Sequence, residues 1–493
     1  MKAGGFVLVV PEGDAPIFAR IAGAVVADIR RGRLRPGDTL PGSRTLAAAL
    51  GVHRNTVLAA ERELALEGWI EATPGGTTRV CATLPESPPR ARPAAAATRA
   101  ESVGFELGPE PPAHVSPAPP GGAIKLLGGL PDLRMVPATA LARAYRRVAT
   151  SRRAHELFGY ADPRGDELLR AELAAMLARS RALALEADDL VVTRGSQMAL
   201  YLTALSVLRP GDRVAVEALG YRPAWSALQA AGAVLEPIPV DAGGLDVERL
   251  TERVERAARQ GSPFRAVYLT PHHQYPTTAV LGQPRRLALL ALARQRRLAL
   301  FEDDYDHEFH YEGRPVAPLA SADPSGQVIY LGTLSKILAP ALRVGFVVAP
   351  RPLLSRLAAL RAVIDRQGDR LVERALRELM TDGELERHAR RMRRVYQGRR
   401  AALARALEEQ LGDVVSFDVP RGGMALWARA PRVDVDRWAS ACEARGVVLQ
   451  PGSRFSFTGE RVPAVRLGFA AEAEPRLRRA VRLMAEALLG LGR

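Results

Sequence analysis

The sequence predicts a multidomain chain, with a small α+β front domain joined by a linker to a larger α/β body that ends in a smaller α+β subdomain. Three observations carry this reading. A segment dominated by Pro, Ala and Gly runs from residue 82 to 123, too poor in large apolar side chains to offset its own ordering entropy. The residues before it show helical periodicity around a tight connector. Those after it alternate short β-branched runs with amphipathic stretches, the pattern of a largely parallel sheet. The predicted limits are 1–81 for the front domain, 82–123 for the linker and 124–493 for the body, whose smaller subdomain starts at about 385.

Composition narrows the function classes. At 493 residues the chain holds two to four folding units of roughly 100–200 residues. Its 47% hydrophobic and 25% charged content is that of a globular protein, and no run of about 18 uncharged apolar residues predicts a membrane span. The apolar run Phe6 to Val10 meets Pro11 and Glu12 too soon for a secretory signal. With only Cys81 and Cys442, a disulfide framework or a cysteine zinc site is unsupported, and a reducing cytoplasm fits. The net charge of +15 invites a nucleic-acid reading, yet residues 1–80 hold ten Lys/Arg against eight Asp/Glu. Bulk charge therefore does not locate a DNA site. The dense run Arg387, Arg390, Arg391, Arg393, Arg394, Arg399 and Arg400 reads as the solvated face of a helix, with a nonspecific phosphate contact as the alternative.

In the front domain three helices are predicted: Ile17 to Arg31, Ser43 to Leu50 and His53 to Glu67, with Gly32 to Asp38 as connector. This is a helix-turn-helix pattern. Ser43 is placed to cap the second helix, and Arg54, Asn55 and Thr56 open the third, whose first residues would meet base edges and phosphates in a major groove. Ile70 to Thr73 and Thr77 to Val80 flank Pro74-Gly75-Gly76 as a wing hairpin. A protein-docking trio of helices is the alternative.

In the body, strands are predicted at Leu190 to Thr193, Arg213 to Val216, Ala266 to Leu269, Leu298 to Phe301 and Val328 to Leu331, and a further one at Val465 to Phe469 in the smaller subdomain. The polar motifs fall at the C-terminal ends of the strands of the larger sheet, where open α/β sheets place ligands.

Lys336 is one of three lysines, with Lys2 and Lys125, among 69 basic residues. Arginine stays protonated and cannot offer the free amine that a carbonyl needs, so Lys336 is the candidate for amine–aldehyde chemistry. A solvated surface charge is the alternative. Thr333 and Ser335 precede it and Arg343 follows, hydroxyls and a guanidinium that together describe a phosphate clamp. Gly195-Ser196-Gln197 stands between a predicted strand and helix, where backbone amides favour a dianionic phosphate. Phe301 to Asp306 ends an apolar strand in carboxylates. Asp303 is assigned to a pyridine nitrogen, which needs a carboxylate to stay protonated, and Tyr305 to the ring hydroxyl. Asp304, Asp306, His307, Glu308 and His310, with His272 and His273, could suggest a metal, but the spacing matches no recognisable ligand set and none is expected.

Leu34-x-Pro36-Gly37-x-x-Leu40-Pro41-x-Ser43-Arg44-x-Leu46-Ala47-x-x-Leu50-Gly51-Val52-x-Arg54-x-Thr56-Val57 resembles the winged helix-turn-helix of the GntR superfamily. That resemblance implies a DNA interface at Ser43, Arg44, Arg54, Asn55 and Thr56, with Gly76 in the wing. Glu61 stands where an aromatic residue is usual and should face the domain interior or its neighbour. The body resembles fold-type I aminotransferases, which implies pyridoxal 5'-phosphate (PLP) bound to Lys336 as a Schiff base. Tyr160-x-x-Pro163-x-Gly165-x-x-x-Leu169-Arg170 matches the segment whose tyrosine reaches the cofactor phosphate of the neighbouring subunit, implying a homodimer. Tyr221 matches the ring that stacks on the pyridine, and Arg466 the arginine that grips a substrate carboxylate.

Two departures alter the expected activity. Tyr275 and Thr278 stand in Tyr275-Pro276-Thr277-Thr278 where many aminotransferases read Asn-Pro-Thr-Gly, and Asp303-Asp304-Tyr305 replaces the commoner Asp-x-x-Tyr. Both features resemble the MocR/GabR-type regulators. That resemblance implies a PLP-dependent transcriptional regulator, a head-to-tail homodimer on operator DNA with an amine or amino acid as effector. A regulator sensing PLP itself, or a genuine aminotransferase, are the alternatives.

Overall fold

The computed structural model describes residues 8–73, 76–85, 103–107 and 121–491. The chain divides into two compact units, Met1–Gly108 and Pro109–Arg493, so the division falls within the predicted linker. Most of that linker, with the wing tip Pro74-Gly75, lies outside the described residues.

The first unit holds α1 (Ile17–Arg30), α2 (Ser43–Leu50), α3 (Arg54–Leu66), β1 (Ile70–Thr73) and β2 (Thr77–Val80). Ile21, Val25 and Ile29 repeat every four residues on α1, and Val57, Ala60 and Leu64 line one side of α3. These stripes meet in one core with Trp69, Ile70 and Val80. Each fully buried aliphatic side chain contributes about 1.5–3 kcal/mol. Gly51, at φ 66, ends α2 in the left-handed conformation that glycine reaches without strain. β1 and β2 pair antiparallel from Ile70 opposite Val80 to Thr73 opposite Thr77. Residues 37–40 extend the hairpin through Gly37 N–H to Val80 O and Leu40 N–H to Thr78 O, both 2.9 Å. The predicted winged helix-turn-helix is present.

Two details differ from expectation. Gly42, not Ser43, occupies the N-cap of α2 and makes no side-chain cap bond. As the first helical residue, Ser43 turns its hydroxyl elsewhere and accepts from Arg54 Nε at 3.3 Å. The cap of α3 is His53, whose Nδ1 accepts from the Asn55 amide at 3.2 Å. Glu61 is half-buried, and that burial raises its carboxyl above the ordinary range, in keeping with the expected inward position.

The second unit is built on a seven-stranded sheet: β3 (Leu190–Thr193), β4 (Arg213–Glu217), β5 (Val234–Ile238), β6 (Phe264–Leu269), β7 (Ala299–Asp304), β8 (Val328–Thr333) and β9 (Gly345–Val348). Its spatial order is β3-β9-β8-β7-β6-β4-β5. β8, β7, β6, β4 and β5 pair in parallel, whereas β9 runs antiparallel to both β8 and β3. Helices cover both faces, so β3, β8 and β9 are buried throughout and read as unbroken apolar runs.

The C-terminal layer pairs β10 (Ala425–Arg429) and β11 (Gln450–Pro451) with β12 (Ala464–Gly468). Its core takes in Ile124 and Leu126 from the start of the body, because Ile124–Lys125 pairs in parallel with Val447–Val448. The arginine run lies on the long helix α4 (Glu384–Leu411), but not all of it is solvated. Met392, Tyr396, Arg399 and Leu403 recur at helical spacing on the buried side. Arg399 reaches Asp132 at 2.8 Å, and Arg400 bonds Glu312 and the Pro420 carbonyl. Burying these guanidiniums is tolerated because each finds a carboxylate.

Candidate functional site

The C-terminal ends of β6, β7 and β8 open on a cavity of about 220 Å³, lined in part by Gly129, Ser196, Tyr221, Tyr275, Asp303 and Lys336. That is several times the roughly 30 Å³ that a water occupies, so the space is ligand-sized. Lys336, three residues beyond β8, turns its amine end into it. Burial, and next the charge of Arg466, lower the Lys336 pKa and favour the uncharged amine that attacks a carbonyl. Asp303, next to last on β7, lines the same cavity. Its Oδ2 accepts from the Tyr268 hydroxyl at 2.8 Å, while Oδ1 is buried with no partner. Burial pushes its pKa to about 6, against the pull of Tyr268 and Lys336.

Tyr305 also lines the cavity. Its hydroxyl donates to the His273 carbonyl at 2.9 Å, so the single proton expected for a ring oxygen is committed elsewhere here. Tyr221 packs edge-on against Tyr275, ring centres 5.3 Å apart.

The phosphate corner forms where β3 passes into the helix Gly195–Val207. Gly195 has φ +79, and a Cβ there would stand 3.0 Å from Arg343 Cζ. The missing side chain lets the guanidinium sit over the helix N-terminus, where Arg343 Nη2 also donates to the Arg194 carbonyl at 2.9 Å. Ser196 reaches the cavity, whereas Gln197 ties its amide to the Pro223 carbonyl at 2.7 Å. Thr333 shapes the loop around Lys336, accepting from the Ser335 amide at 3.1 Å and donating to Val344 O at 3.3 Å. Gln197, Thr333, Ser335, Gly195, Arg343 and Arg466 are not among the residues lining the cavity. Tyr160 is 80% exposed and lies under Arg366 instead.

Arg466, on β12, is 1% exposed and lies 4.2 Å from the centre of the Tyr275 ring. Its Nε and Nη1 are buried without partners. Tyr275 thus does more than replace an asparagine, because it supports the arginine through a cation–π contact.

Sequence patterns missed two supports. Tyr268 sits opposite Phe301 on the strand beside Asp303, and only the sheet register reveals it. Glu217 ends β4 and accepts from the Thr270 hydroxyl at 2.8 Å, which in turn accepts from the Tyr275 amide at 2.9 Å. Burial raises Glu217 to about 8. A carboxylate ending an apolar strand was the available signal.

In the first unit Arg44, Arg54 and Asn55 are exposed, Ser43 and Thr56 are half-buried, and Gly76 is exposed at φ +91. The Arg54–Ser43 contact joins the N-terminal ends of α2 and α3, the surface a helix-turn-helix presents to a major groove.

The chain matches the family described as aminotransferase class I and II over residues 128–483, and bacterial regulatory proteins of the gntR family over residues 18–80. It is 32% identical over 486 residues to the probable rhizopine catabolism regulatory protein MocR of Rhizobium meliloti, covering 97% of this chain and 95% of that one. The chain belongs to the MocR-type regulators. A second relative, the HTH-type transcriptional regulator TauR of Rhodobacter capsulatus, is 31% identical over 458 residues and 90% of each chain. Among solved structures, the multiple substrate aminotransferase of Thermococcus profundus shares 30% identity at a TM-score of 0.70, over 75% of this chain and 92% of that one.

The MocR-type body is PLP-dependent, and the residues present fit that cofactor. The unpartnered Asp303 Oδ1 matches a protonated ring nitrogen, the Lys336 amine a carbonyl carbon, and Arg343 over the Gly195 amides a phosphate. Among the described residues no helix is long and apolar enough to cross a membrane.

Proposed function

We propose that this MocR-type regulator senses a primary amine that also carries a carboxylate, an amino acid in chemical class, and passes its occupancy to DNA. The observation that supports this most is Arg466, whose Nε and Nη1 are held buried without partners beside the Lys336 cavity. An empty apolar wall would suffice for the cofactor alone. A buried guanidinium with free donors calls for a planar anion from the ligand.

PLP, when bound, supplies an aldehyde carbon that primary amines capture and a ring nitrogen that draws electrons. Lys336 is the resident amine, its pKa lowered by burial and next by the charge of Arg466, which favours the uncharged form. Asp303, its carboxylate fixed by Tyr268, would hold a proton at the ring nitrogen through the unpartnered Oδ1. With PLP bound, an effector amine would compete with Lys336 for that carbon, and Arg466 would hold the effector carboxylate. The shift this produces in the DNA-binding head is bounded by the effector's differential affinity for the two states. The reading includes a homodimer, head to tail, in which Tyr160 serves the neighbouring subunit, acting on operator DNA in the cytoplasm.

A second reading is a regulator of PLP supply, since the pyridoxine biosynthesis regulator PdxR of Corynebacterium glutamicum is 31% identical over 386 residues. Titrating the PLP-loaded protein with amines and amino acids, with and without operator DNA, separates the two. Coupled changes in visible absorbance and DNA affinity with carboxylate-bearing amines support the effector reading. DNA affinity that responds to PLP alone sinks it, and keto-acid turnover identifies an enzyme.

A further inference from the structure

Behind the cavity, on the far side of the Tyr305–His273 hydrogen bond, the fold gathers histidines from separate segments. His272 and His273 come from the loop after β6, His307 and His310 from the stretch after β7. One ring nitrogen from each of His272, His273 and His310 lies within 4.8 Å of one from each of the others.

His272 is 5% exposed, and its Nε2 has no hydrogen-bond partner. Leaving such a polar atom dry and unsatisfied is costly unless something fills the position. The ring nitrogens of His310 are likewise shielded, with a weak contact to the Glu312 backbone as their one interaction among the described residues. His273 differs: its Nδ1 is bonded to Asp306 Oδ1 at 2.7 Å. A carboxylate on Nδ1 leaves the Nε2 lone pair outward, the support that metal-binding histidines commonly have. Gly422 packs against this ring: a Cβ there would lie 2.4 Å from His273 Nε2, so only a glycine fits beside it. Gly422 is also the bridge partner of His310.

His307 is a support. Its Nδ1 meets Asp304 Oδ2 at 2.9 Å and its Nε2 meets the Ser180 carbonyl at 3.3 Å, both nitrogens being used. Its ring stacks on His272 with centres 4.4 Å apart and fixes that imidazole's plane. The carboxylates Asp304 and Asp306 face the cluster. Of the neighbouring cations, Arg393 donates to the Glu308 carbonyl and Arg286 to the carbonyls of Leu281, Ala317 and Pro271.

We infer that His272, His273 and His310 form a binding site for Zn²⁺, with water as the fourth ligand. Three imidazoles without thiolate suit a borderline divalent ion in tetrahedral geometry, and Zn–N distances of about 2.0–2.1 Å require the three nitrogens to draw together to about 3.3 Å from one another. His310 as a whole is only half-buried, although its ring nitrogens are shielded. Bound there, Zn²⁺ would tie the loop after β6 to the segment after β7, whose Tyr305 and Tyr275 form the effector wall. The site stands whether or not the effector reading holds.

Tag-free, PLP-loaded protein, stripped of metal by a chelator and dialysed, is titrated with Zn²⁺ against a chromophoric competitor. The expected result is one equivalent per chain, retained in Lys336→Ala and weakened at least tenfold in His310→Ala. Unfolding temperature and cofactor absorbance report whether the variant is folded, and His272→Gln is read in its place if it is not. A wild-type protein that never competes for one equivalent overturns the inference. So does an equivalent undiminished in the histidine variant, or one lost in Lys336→Ala, which would put the ion on the cofactor.

Discussion

The Tyr268 hydroxyl donates to one oxygen of Asp303 at 2.8 Å, and the other oxygen is buried with no partner. The carboxylate is therefore fixed in orientation and incomplete until a donor arrives from the cavity. Replacing it by Asp303→Asn keeps the shape and removes the charge. A charge-assisted hydrogen bond contributes about 1.5–3 kcal/mol, so PLP affinity should fall about 10- to 100-fold. Tyr268→Phe, which removes only a support, should cost about two- to tenfold. Absorbance titration of the cofactor-free variants checks both.

The two units should be separable by mutation. Lys336→Ala removes the only amine that lines the cavity, and should abolish borohydride-trappable PLP while leaving operator affinity intact. Arg54→Ala removes an exposed guanidinium at the start of α3, and should do the reverse. If Arg54 meets phosphate, the slope of log affinity against log salt drops by about 1, and if it meets a base edge, discrimination falls by about 1–3 kcal/mol. Gel-shift titration at several salt concentrations distinguishes these results.

Glu217 gives a pH signature. Burial raises its folded pKa to about 8, from an ordinary 4.5. Between those values the folded protein retains a proton that the unfolded chain has released, so this group destabilises the fold increasingly as pH rises. Glu217→Gln cannot ionise. The unfolding temperature of the variant, minus that of cofactor-free wild type, should therefore climb from pH 5 to pH 8 and then level off. A difference independent of pH would show that Glu217 is charged in the folded state.

Much of this architecture is legible in sequence because its signals are local. β3 is predicted to the residue and β8 begins where expected, since strands buried on both faces leave continuous apolar runs. Lys336, Asp303 and Tyr221 are each marked by a neighbouring motif and line one cavity. What escapes prediction depends on partners distant in the chain. Arg399 is indistinguishable in sequence from its solvated neighbours until Asp132, 267 residues earlier, is folded against it. The Tyr268 bond to Asp303 depends on sheet register, and His272 meets His310 only because β6 and β7 are adjacent strands. Ser43 failed as a cap for a narrower reason: the helix begins one residue before the position its side chain needs.

Gly195 tests the phosphate corner. Its φ of +79 costs a residue with a side chain about 1–2 kcal/mol. A Cβ there would also stand 3.0 Å from Arg343 Cζ and 3.1 Å from both terminal nitrogens, pushing the guanidinium off the helix N-terminus. Gly195→Ala should remain folded with a lowered unfolding temperature, and bind PLP about tenfold more weakly, since one bond to a charged group is worth about 1.5–3 kcal/mol. Pyridoxal, which lacks the phosphate, provides the control. If Arg343 and the Gly195 amides hold phosphate, the variant loses affinity for PLP and keeps its weaker affinity for pyridoxal. Equal losses for both ligands would place the phosphate elsewhere in the cavity.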